Sequence, residues 1–413
     1  LRVAGVDIAH VVVVGDRRDE VRTALSFVAG TGVDLIITSG GLGPTADDLT
    51  AEVVAEFQGR SLRLDVELER AIGAIIARLS ASRGWRTDDA ATAAATRKQA
   101  LVPDGARVLP PVGTAPGLIV PVAEGRDGPP VLVLPGPPRE LQGMWPAALD
   151  DPVIRAALAG REELRQRTVR LWGTPESQLA ATLRDNAALL DGLEVTTCLR
   201  DGGELEIVTR FAPDAQPAYD QLHAVLTQVY ADTVFSADGR TIDDIVADAL
   251  IERNATIATA ESCTAGLLAA RLTERPGSSE YVLGGVVAYS NAVKEQALGV
   301  PAALIDSVGA VSAEVAEAMA HGARERLHAD VGVGITGVAG PGGGTPTKPV
   351  GLVHLCVASG ATSIARGVRL PGSRADVRHR SVSIAMHLLR ELLTPSGKER
   401  TADGSPSRTH WRR

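Results

Sequence analysis

Residues 257–299 read IATAESCTAGLLAARLTERPGSSEYVLGGVVAYSNAVKEQALG, and this stretch alternates short apolar runs with helical patterns. The run Ile257–Ala260 predicts a strand, and the residues from Thr264 to Glu274 predict a helix that ends before Pro276. Ser262 therefore lies at a strand-to-helix turn. Such a turn exposes a side chain at one edge of a sheet, where ligands and substrates usually bind.

The second half of the stretch repeats this pattern. A strand is predicted from Val282 to Tyr289, and a helix from Asn291 to Leu298 that Gly299 closes. Tyr289 then ends a strand, and Lys294 lies about one turn into the following helix. In open α/β sheets, functional residues meet at the carboxyl ends of neighbouring strands, so we expect Ser262, Tyr289 and Lys294 to come together.

These three residue types can perform hydrolysis. A serine hydroxyl becomes nucleophilic when a neighbour takes its proton, and a lysine whose pKa is lowered by partial burial can do so. The turn at Ser262 also lies at the positive end of a helix, where free backbone N–H groups can stabilise a phosphate or an oxyanion. Taken singly, the residues also fit a helix cap, a strand aromatic and a solvated helix lysine.

A short-chain dehydrogenase pair is a weaker alternative. Tyr289 and Lys294 stand five positions apart, whereas that pair needs four to share a helix face. In addition, no Gly-x-Gly-x-x-Gly turn follows a strand upstream.

A glycine-rich loop follows a third predicted strand, Val331–Thr336. Residues 337–344 read GVAGPGGG, and the backbone amides of such a loop can approach an anion closely, although a merely tight turn fits equally well. The loop is not a Walker loop, because Lys348 follows a threonine and no helix pattern comes next. Arg374 and Arg378 stand four positions apart at the start of a long helical pattern, where they can share a face and clamp a phosphate.

Six motifs occur in a fixed order: ESCTAG, AYSNAVK, GAVSAEVAEAMAHGA, ITGVAGPGGG, KPVG and GSRADVR. Together they resemble the C-terminal domain of the CinA family (competence/damage-inducible protein A), over about residues 245–393. That family includes nicotinamide mononucleotide deamidases. The resemblance therefore implies an α/β domain that hydrolyses the carboxamide of nicotinamide mononucleotide to nicotinic acid mononucleotide and ammonia, in pyridine-nucleotide salvage and without a cofactor.

Matched residue by residue, the resemblance implies Ser262 as the nucleophile, Lys294 as its base and Tyr289 as an assisting hydrogen-bond partner. The substrate-binding residues that it implies are Thr264, Thr336, Gly337, Gly340, Gly343, Arg374 and Arg378. The two arginines would meet the phosphate.

Two positions depart from the family pattern. Ala265 stands where the family commonly has glycine, and Gly342 stands where it commonly has aspartate. We expect Ala265 to lie in a helical turn, where the extra methyl group favours the helix. Gly342 removes a carboxylate from the glycine-rich loop.

The N-terminal part of the chain shows a second alternation. A strand is predicted at Val11–Val14, a charged helix from Arg17 to Ala29, a strand at Asp34–Ser39 and a helix from Ala51 to Phe57, an order typical of a parallel sheet. The loop before the last helix reads GGLGPTADDLT and offers a second set of candidate ligand-binding residues: Gly40, Gly41, Gly43, Thr45, Asp47 and Asp48. The two aspartates can cap the helix or hold a divalent metal ion against phosphates, and both interpretations stay open.

This loop, with LPGPPREL at residues 134–141, resembles the three-layer, molybdopterin-binding-like (MoaB/MogA type) N-terminal domain of the same family. Some family members hydrolyse ADP-ribose with that domain, so a metal-dependent ADP-ribose pyrophosphatase is an alternative function. A non-catalytic nucleotide- or pterin-binding protein related to competence is a further alternative. Because Leu1 already corresponds to the end of the family's first helix, this sequence lacks the family's first strand and its glycine/glutamate turn.

The predicted organisation has four segments. They are a molybdopterin-binding-like domain (1–160), an α+β connecting module (161–240), the deamidase domain (241–394) and a disordered tail (395–413). The family resemblance implies a KH-like fold for the connecting module. No Gly-x-x-Gly clamp is present there, so RNA binding is not expected.

Composition limits the kinds of partner that this protein is expected to bind. Hydrophobic residues make up 45% and charged residues 22% of the 413 residues, as in ordinary globular proteins, and the net charge of −8 without a basic stripe argues against nucleic acid. The cysteines Cys198, Cys263 and Cys356 are too few and scattered for a disulfide framework or a zinc site. Cys263 adjoins the candidate nucleophile, and packing is its favoured interpretation. This cysteine usage fits a reducing cytoplasm, and no membrane partner is expected. The family resemblance implies a homodimer that acts on a small nucleotide.

Overall fold

The structure, a computed structural model, describes residues 5–84, 88–160, 164–200 and 202–394. The chain divides into two compact units, Leu1–Leu164 and Arg165–Arg413. The predicted tail over residues 395–413 lies outside the described residues.

The first unit contains a four-stranded sheet, a two-stranded ribbon and six helices within the described ranges. In chain order its elements are α1 (Arg18–Gly30), β1 (Ile36–Ser39), α2 (Thr50–Phe57), β2 (Leu62–Leu64), α3 (Val66–Arg83), α4 (Asp89–Gln99), β3 (Leu101–Pro103), β4 (Arg107–Leu109), β5 (Gly117–Val120), β6 (Val131–Leu134), α5 (Pro138–Asp150) and α6 (Pro152–Ala157). The sheet has the order β1-β6-β5-β4, and β2 pairs with β3.

Alternation along the central strands produces the three layers. In β6, Val131 and Val133 join one apolar cluster with α2, whereas Leu132 and Leu134 join another cluster with Met144 of α5. Successive strand residues point to opposite faces, so both faces of the sheet are covered by helices. The three-layer α/β fold predicted for this part of the chain is confirmed.

Two expectations for the first unit are wrong. Val11–Val14 forms no strand, and Val11 and Val13 are 82% and 91% exposed. Valine favours a strand only where a neighbouring strand and a packed face support it, and β1, an edge strand, pairs with β6 instead. The sheet is also mixed, since β1 and β6 run parallel but β5 and β4 run antiparallel.

The second unit contains two sheets. In chain order its elements are β7 (Arg165–Trp172), α7 (Glu176–Asp185), β8 (Leu193–Leu199), β9 (Glu204–Phe211), α8 (Gln216–Val229), β10 (Val234–Ser236), α9 (Ile242–Glu252), β11 (Ile257–Glu261), α10 (Leu267–Thr273), β12 (Val282–Val287), α11 (Asn291–Leu298), α12 (Ala302–Val308), α13 (Ala313–Arg326), β13 (Val331–Gly337), β14 (Leu352–Ser359), β15 (Thr362–Arg369) and α14 (Arg374–Leu393). The first sheet, β10-β7-β9-β8, is antiparallel and forms the α+β module.

The second sheet has the order β12-β11-β13-β14-β15 and positions the candidate site. Strands β12, β11 and β13 are parallel, so their carboxyl ends lie at one edge, while β14 and β15 are antiparallel. One face packs on α9 and α14 and the other on α11 to α13. A Cβ atom at Gly334 of β13 would lie 2.0 Å from the carbonyl oxygen of Ala316, so glycine allows α13 to lie directly on the sheet.

A buried aromatic cluster joins the α+β module to α14. The His387 ring stacks on Trp172 at 4.1 Å and meets Phe235 edge-on, and its Nε2 lies 3.0 Å from Oε1 of Glu204. Burial lowers the pKa of His387, against the opposing effect of Glu204. Its Nδ1 has no hydrogen-bond partner among the described residues, as expected for a neutral ring that donates from Nε2 alone.

The lowered pKa of His387 leads us to expect that the stability of the fold depends on pH. The free energy of unfolding is expected to fall as the pH drops below about 6.5, because the unfolded state then binds a proton at His387 that the folded state does not. The effect continues down to the lowered pKa of the folded state. Urea unfolding followed by tryptophan fluorescence, from about pH 7 to 5, measures it.

The matched variant is His387→Gln, which does not titrate. The pH-dependent difference between wild type and this variant isolates His387 from His354, whose pKa burial also lowers. Parallel pH profiles for the two proteins would contradict the prediction.

Candidate active site

The nucleophile and base predicted from the sequence lie together. Ser262 follows β11, Lys294 lies on α11 after β12, and Nζ of Lys294 donates a hydrogen bond to Oγ of Ser262 at 3.2 Å. A second bond, at 2.9 Å, joins Nζ to the carbonyl oxygen of Ala288. The serine is 9% exposed, so it is largely buried and not exposed as the turn alone predicts.

Burial controls the charge of the lysine. Lys294 is 2% exposed, and no carboxylate is among the causes of its pKa shift. Loss of hydration lowers the pKa of its ammonium group. A larger share of neutral amine is therefore present near neutral pH, which is the form that accepts a proton from a serine.

The hydroxyl of Tyr289 bonds to an arginine, and within the described residues no hydrogen bond joins it to Ser262. The tyrosine hydroxyl accepts a hydrogen bond from Nη2 of Arg374 at 2.8 Å, and the residue is 60% exposed. Nη1 of Arg374 donates to the carbonyl oxygen of Gly340 at 2.9 Å. Arg374 therefore links the segment after β12 to the glycine-rich loop after β13, at the open side of the site.

The glycine-rich loop is fixed through several of its predicted residues. Gly340 has φ 81°, and a Cβ atom there would lie 2.5 Å from Cγ1 of Val350, so this position requires glycine. Thr336 is buried and donates from Oγ1 to the carbonyl oxygen of Ala310 at 2.8 Å. Gly337 ends β13, and Gly343, with φ 80°, is exposed. Gly342 is exposed with open space around it.

The helix after Ser262 differs from the prediction. Helix α10 begins at Leu267, not at Thr264, and its N-terminal backbone N–H groups are occupied by the buried carboxylate of Glu261. That carboxylate accepts from Gly266, Leu268 and Ala269 at 3.1, 3.0 and 2.9 Å. These three N–H groups are therefore not free for a bound anion, because the protein supplies its own carboxylate to them.

The expectation for Ala265 is also wrong. Ala265 precedes α10 and has φ 51°, in the left-handed region where an L side chain is strained. The methyl group therefore opposes the local backbone and does not favour the helix.

We expect Ala265→Gly to raise the free energy of unfolding of the second unit by up to about 1 kcal/mol. Relief of left-handed strain exceeds the extra entropy that glycine brings to the unfolded chain. Urea unfolding of the two proteins measures the difference. A matched Ala→Gly substitution at Ala303, inside α12, is expected to lower stability instead.

Arg378 contacts the nucleophile segment. Its Nε donates to the carbonyl oxygen of Cys263 at 3.1 Å and its Nη2 to that of Thr264 at 2.9 Å. Thr264 is fully buried, and its Oγ1 has no hydrogen-bond partner among the described residues. Cys263 packs in the core, and burial raises the pKa of its thiol to about 11, so a thiolate nucleophile is disfavoured.

The N-terminal candidate residues lie at the carboxyl edge of β1 and β6. A Cβ atom at Gly136, after β6, would lie 3.6 Å from Cα of Gly40, after β1. Asp48 accepts from the backbone N and Oγ1 of Thr45 at 2.9 and 2.5 Å. The predicted helix cap is wrong, because Leu49 is the N-cap of α2 and no side chain caps it.

A metal at Asp47 and Asp48 stays a prediction. Within the described ranges, no group of three or more histidine, cysteine, aspartate or glutamate residues could hold a metal ion. Gly41 and Gly43 pack closely on Thr50 and Asp48.

Among the described residues, none of the helices has the length and apolarity that crossing a bilayer requires.

The sequence analysis did not predict the contacts of two residues that hold the segment after β11. Glu261 ends an apolar strand just before a helix, and an acidic residue at that place is a signal for a cap. Arg378 carries no such signal, because its partners lie 114 and 115 positions away in sequence.

Known proteins share both parts of the chain. Residues 239–393 match the family model "CinA C-terminal domain", and residues 1–156 match "Probable molybdopterin binding domain". A solved structure titled "The crystal structure of competence/damage inducible protein CihA from Agrobacterium tumefaciens" is 39% identical and covers 37% of this chain and 94% of its own, with a TM-score of 0.36.

Relatives extend over nearly the whole length. A "CinA-like protein" of Mycolicibacterium vanbaalenii is 57% identical over 397 residues, 95% of this chain and 92% of that protein. A "CinA-like protein" of Mycobacterium tuberculosis is 54% identical over 398 residues, 94% of this chain and 90% of that protein. With both domain models and this coverage, the chain belongs to the CinA family.

Proposed function

We propose that the second unit hydrolyses the carboxamide of nicotinamide mononucleotide to nicotinic acid mononucleotide and ammonia. The observation that carries this proposal is the 3.2 Å hydrogen bond between Ser262 Oγ and Nζ of the buried Lys294. A serine beside a lysine of lowered pKa is an arrangement for acyl transfer, and an amide is an acyl substrate.

In the first step, neutral Lys294 takes the hydroxyl proton of Ser262 while Oγ attacks the carboxamide carbon. The C–N bond of the resulting tetrahedral intermediate breaks, and the lysine returns the proton to the leaving nitrogen, which departs as ammonia. A water molecule then attacks the acyl-serine ester, with Lys294 again as base, and releases the carboxylate and the serine hydroxyl.

The open side of the site suits a nucleotide. Arg374 is exposed and lies between Tyr289 and Gly340, where a guanidinium group can form paired hydrogen bonds with a phosphate. In this proposal Tyr289 assists from the same side through its hydroxyl, which accepts a hydrogen bond from Arg374. The reaction as proposed uses these side chains and no metal.

The test is ammonia release from nicotinamide mononucleotide by the purified protein, with and without EDTA. We expect turnover that EDTA does not change. Absence of ammonia release in a folded protein would overturn the proposal. ADP-ribose with a divalent metal ion, run in parallel, tests the alternative function of the first unit.

A further inference from the structure

The segment that carries Ser262 is held from two sides. On one side, Glu261 accepts three backbone hydrogen bonds from Gly266, Leu268 and Ala269. On the other side, Arg378 of α14 donates to two successive carbonyl oxygens, those of Cys263 and Thr264. These contacts fix both ends of the short connection between β11 and α10.

The arginine contacts determine the direction of two N–H groups. In a trans peptide the carbonyl and the N–H point in opposite directions. Since the carbonyls of Cys263 and Thr264 face Arg378, the N–H groups of Thr264 and Ala265 point away from it. The N–H of Ser262 itself donates to the carbonyl of Ile335 at 2.9 Å and is not free for a substrate.

We propose that Arg378 is a positioning residue: it holds these two peptide planes so that the N–H groups of Thr264 and Ala265 stabilise the oxyanion formed when Ser262 attacks the amide. The inference rests on the proposed function and deepens it. Oxyanion holes are commonly built from backbone N–H groups close to the nucleophile, and fixed orientation is what makes such donors effective.

This role replaces the phosphate contact predicted for Arg378. Nε and Nη2 of Arg378 bind carbonyls of the segment that carries Ser262, and the residue is partly buried. Arg374, which binds Gly340 and Tyr289, is exposed at the open side of the site. The planar fork of arginine matches two neighbouring carbonyls at once. A lysine ammonium keeps the charge but cannot reproduce that geometry.

The experiment compares Arg378→Lys with Arg374→Lys and Arg374→Ala in steady-state hydrolysis of nicotinamide mononucleotide. For Arg378→Lys we expect kcat to fall at least about tenfold, with KM within about twofold of wild type, because loss of transition-state stabilisation lowers kcat. For Arg374→Ala we expect mainly a higher KM. Arg380→Ala, two residues after Arg378 on α14 and bonded to the carbonyl of Pro371, is the matched control, and its kinetics are expected to be unchanged.

A second measurement protects the test against misfolding. Guanidinium ion added to Arg378→Ala is expected to restore part of kcat without changing KM. The ion would occupy the place of the missing side chain and bind the same two carbonyl oxygens. A raised KM with normal kcat in Arg378→Lys, or unchanged kinetics in both Arg378 variants, would overturn the inference. An inactive wild type would instead reject the proposed function, so the two failures are distinguishable.

Discussion

Replacing Ser262 by alanine is expected to reduce ammonia release from nicotinamide mononucleotide by about 10⁴-fold or more, since removal of a nucleophile ends covalent catalysis. The fold should tolerate this change. The hydrogen bond from Lys294 Nζ to the serine Oγ is lost, but the bond from the Ser262 backbone N–H to the carbonyl oxygen of Ile335 remains. Initial rates with a coupled ammonia assay and unchanged thermal unfolding measure both points.

Ser307→Ala serves as the matched serine control. Ser307 is exposed on α12 and donates to the carbonyl of Leu304, so its loss should leave the rate unchanged. If Ser262→Ala retained more than about a tenth of the wild-type rate, a covalent role for this serine would be excluded.

Replacing Lys294 by methionine or by arginine is expected to lower kcat/KM by about 10²- to 10⁴-fold, the usual contribution of a general base. In wild type, the rate should rise with pH as Lys294 loses its proton and then reach a plateau. Because burial lowers the pKa of Lys294, the midpoint should lie below the ordinary lysine value of about 10.4. The pH profile of kcat/KM measures this midpoint.

The arginine variant separates charge from proton transfer. Arginine keeps a positive charge near Ser262 but stays protonated at all accessible pH values. A variant Lys294→Arg with near-normal activity, or with the wild-type pH profile, would place the base elsewhere.

The sequence predicted the parts of the site that depend on local pattern. Strand-to-helix turns placed Ser262 and Lys294 at the carboxyl ends of adjacent parallel strands, and β11 and β12 are indeed neighbours. Helix α11 was predicted with its observed limits, Asn291 and Leu298. Periodicity reveals such elements because the side-chain pattern of a helix or strand repeats within a few residues.

Contacts between residues far apart in the sequence could not be predicted from this local periodicity. The carbonyl partners of Arg378 and the fit of Glu261 to three N–H groups depend on how the chain turns after β11, where Ala265 takes a left-handed conformation that alanine rarely adopts. The strand predicted at Val11–Val14 was wrong for the opposite reason. Its residues strongly favour a strand locally, but no described strand pairs with them.

Helix α14 has a consequence for dissection of this protein. Its first turns carry Arg374 and Arg378, and nine residues after Arg378 its His387 is covered by Trp172 and Phe235 of the α+β module. A fragment that starts at residue 241 would keep Ser262 and Lys294. It would lack Trp172, Phe235 and Glu204, so the side chain of His387 would lose its aromatic neighbours and its hydrogen-bond partner. Cutting between β7 and the preceding unit, by contrast, would keep α14 and its support in one piece.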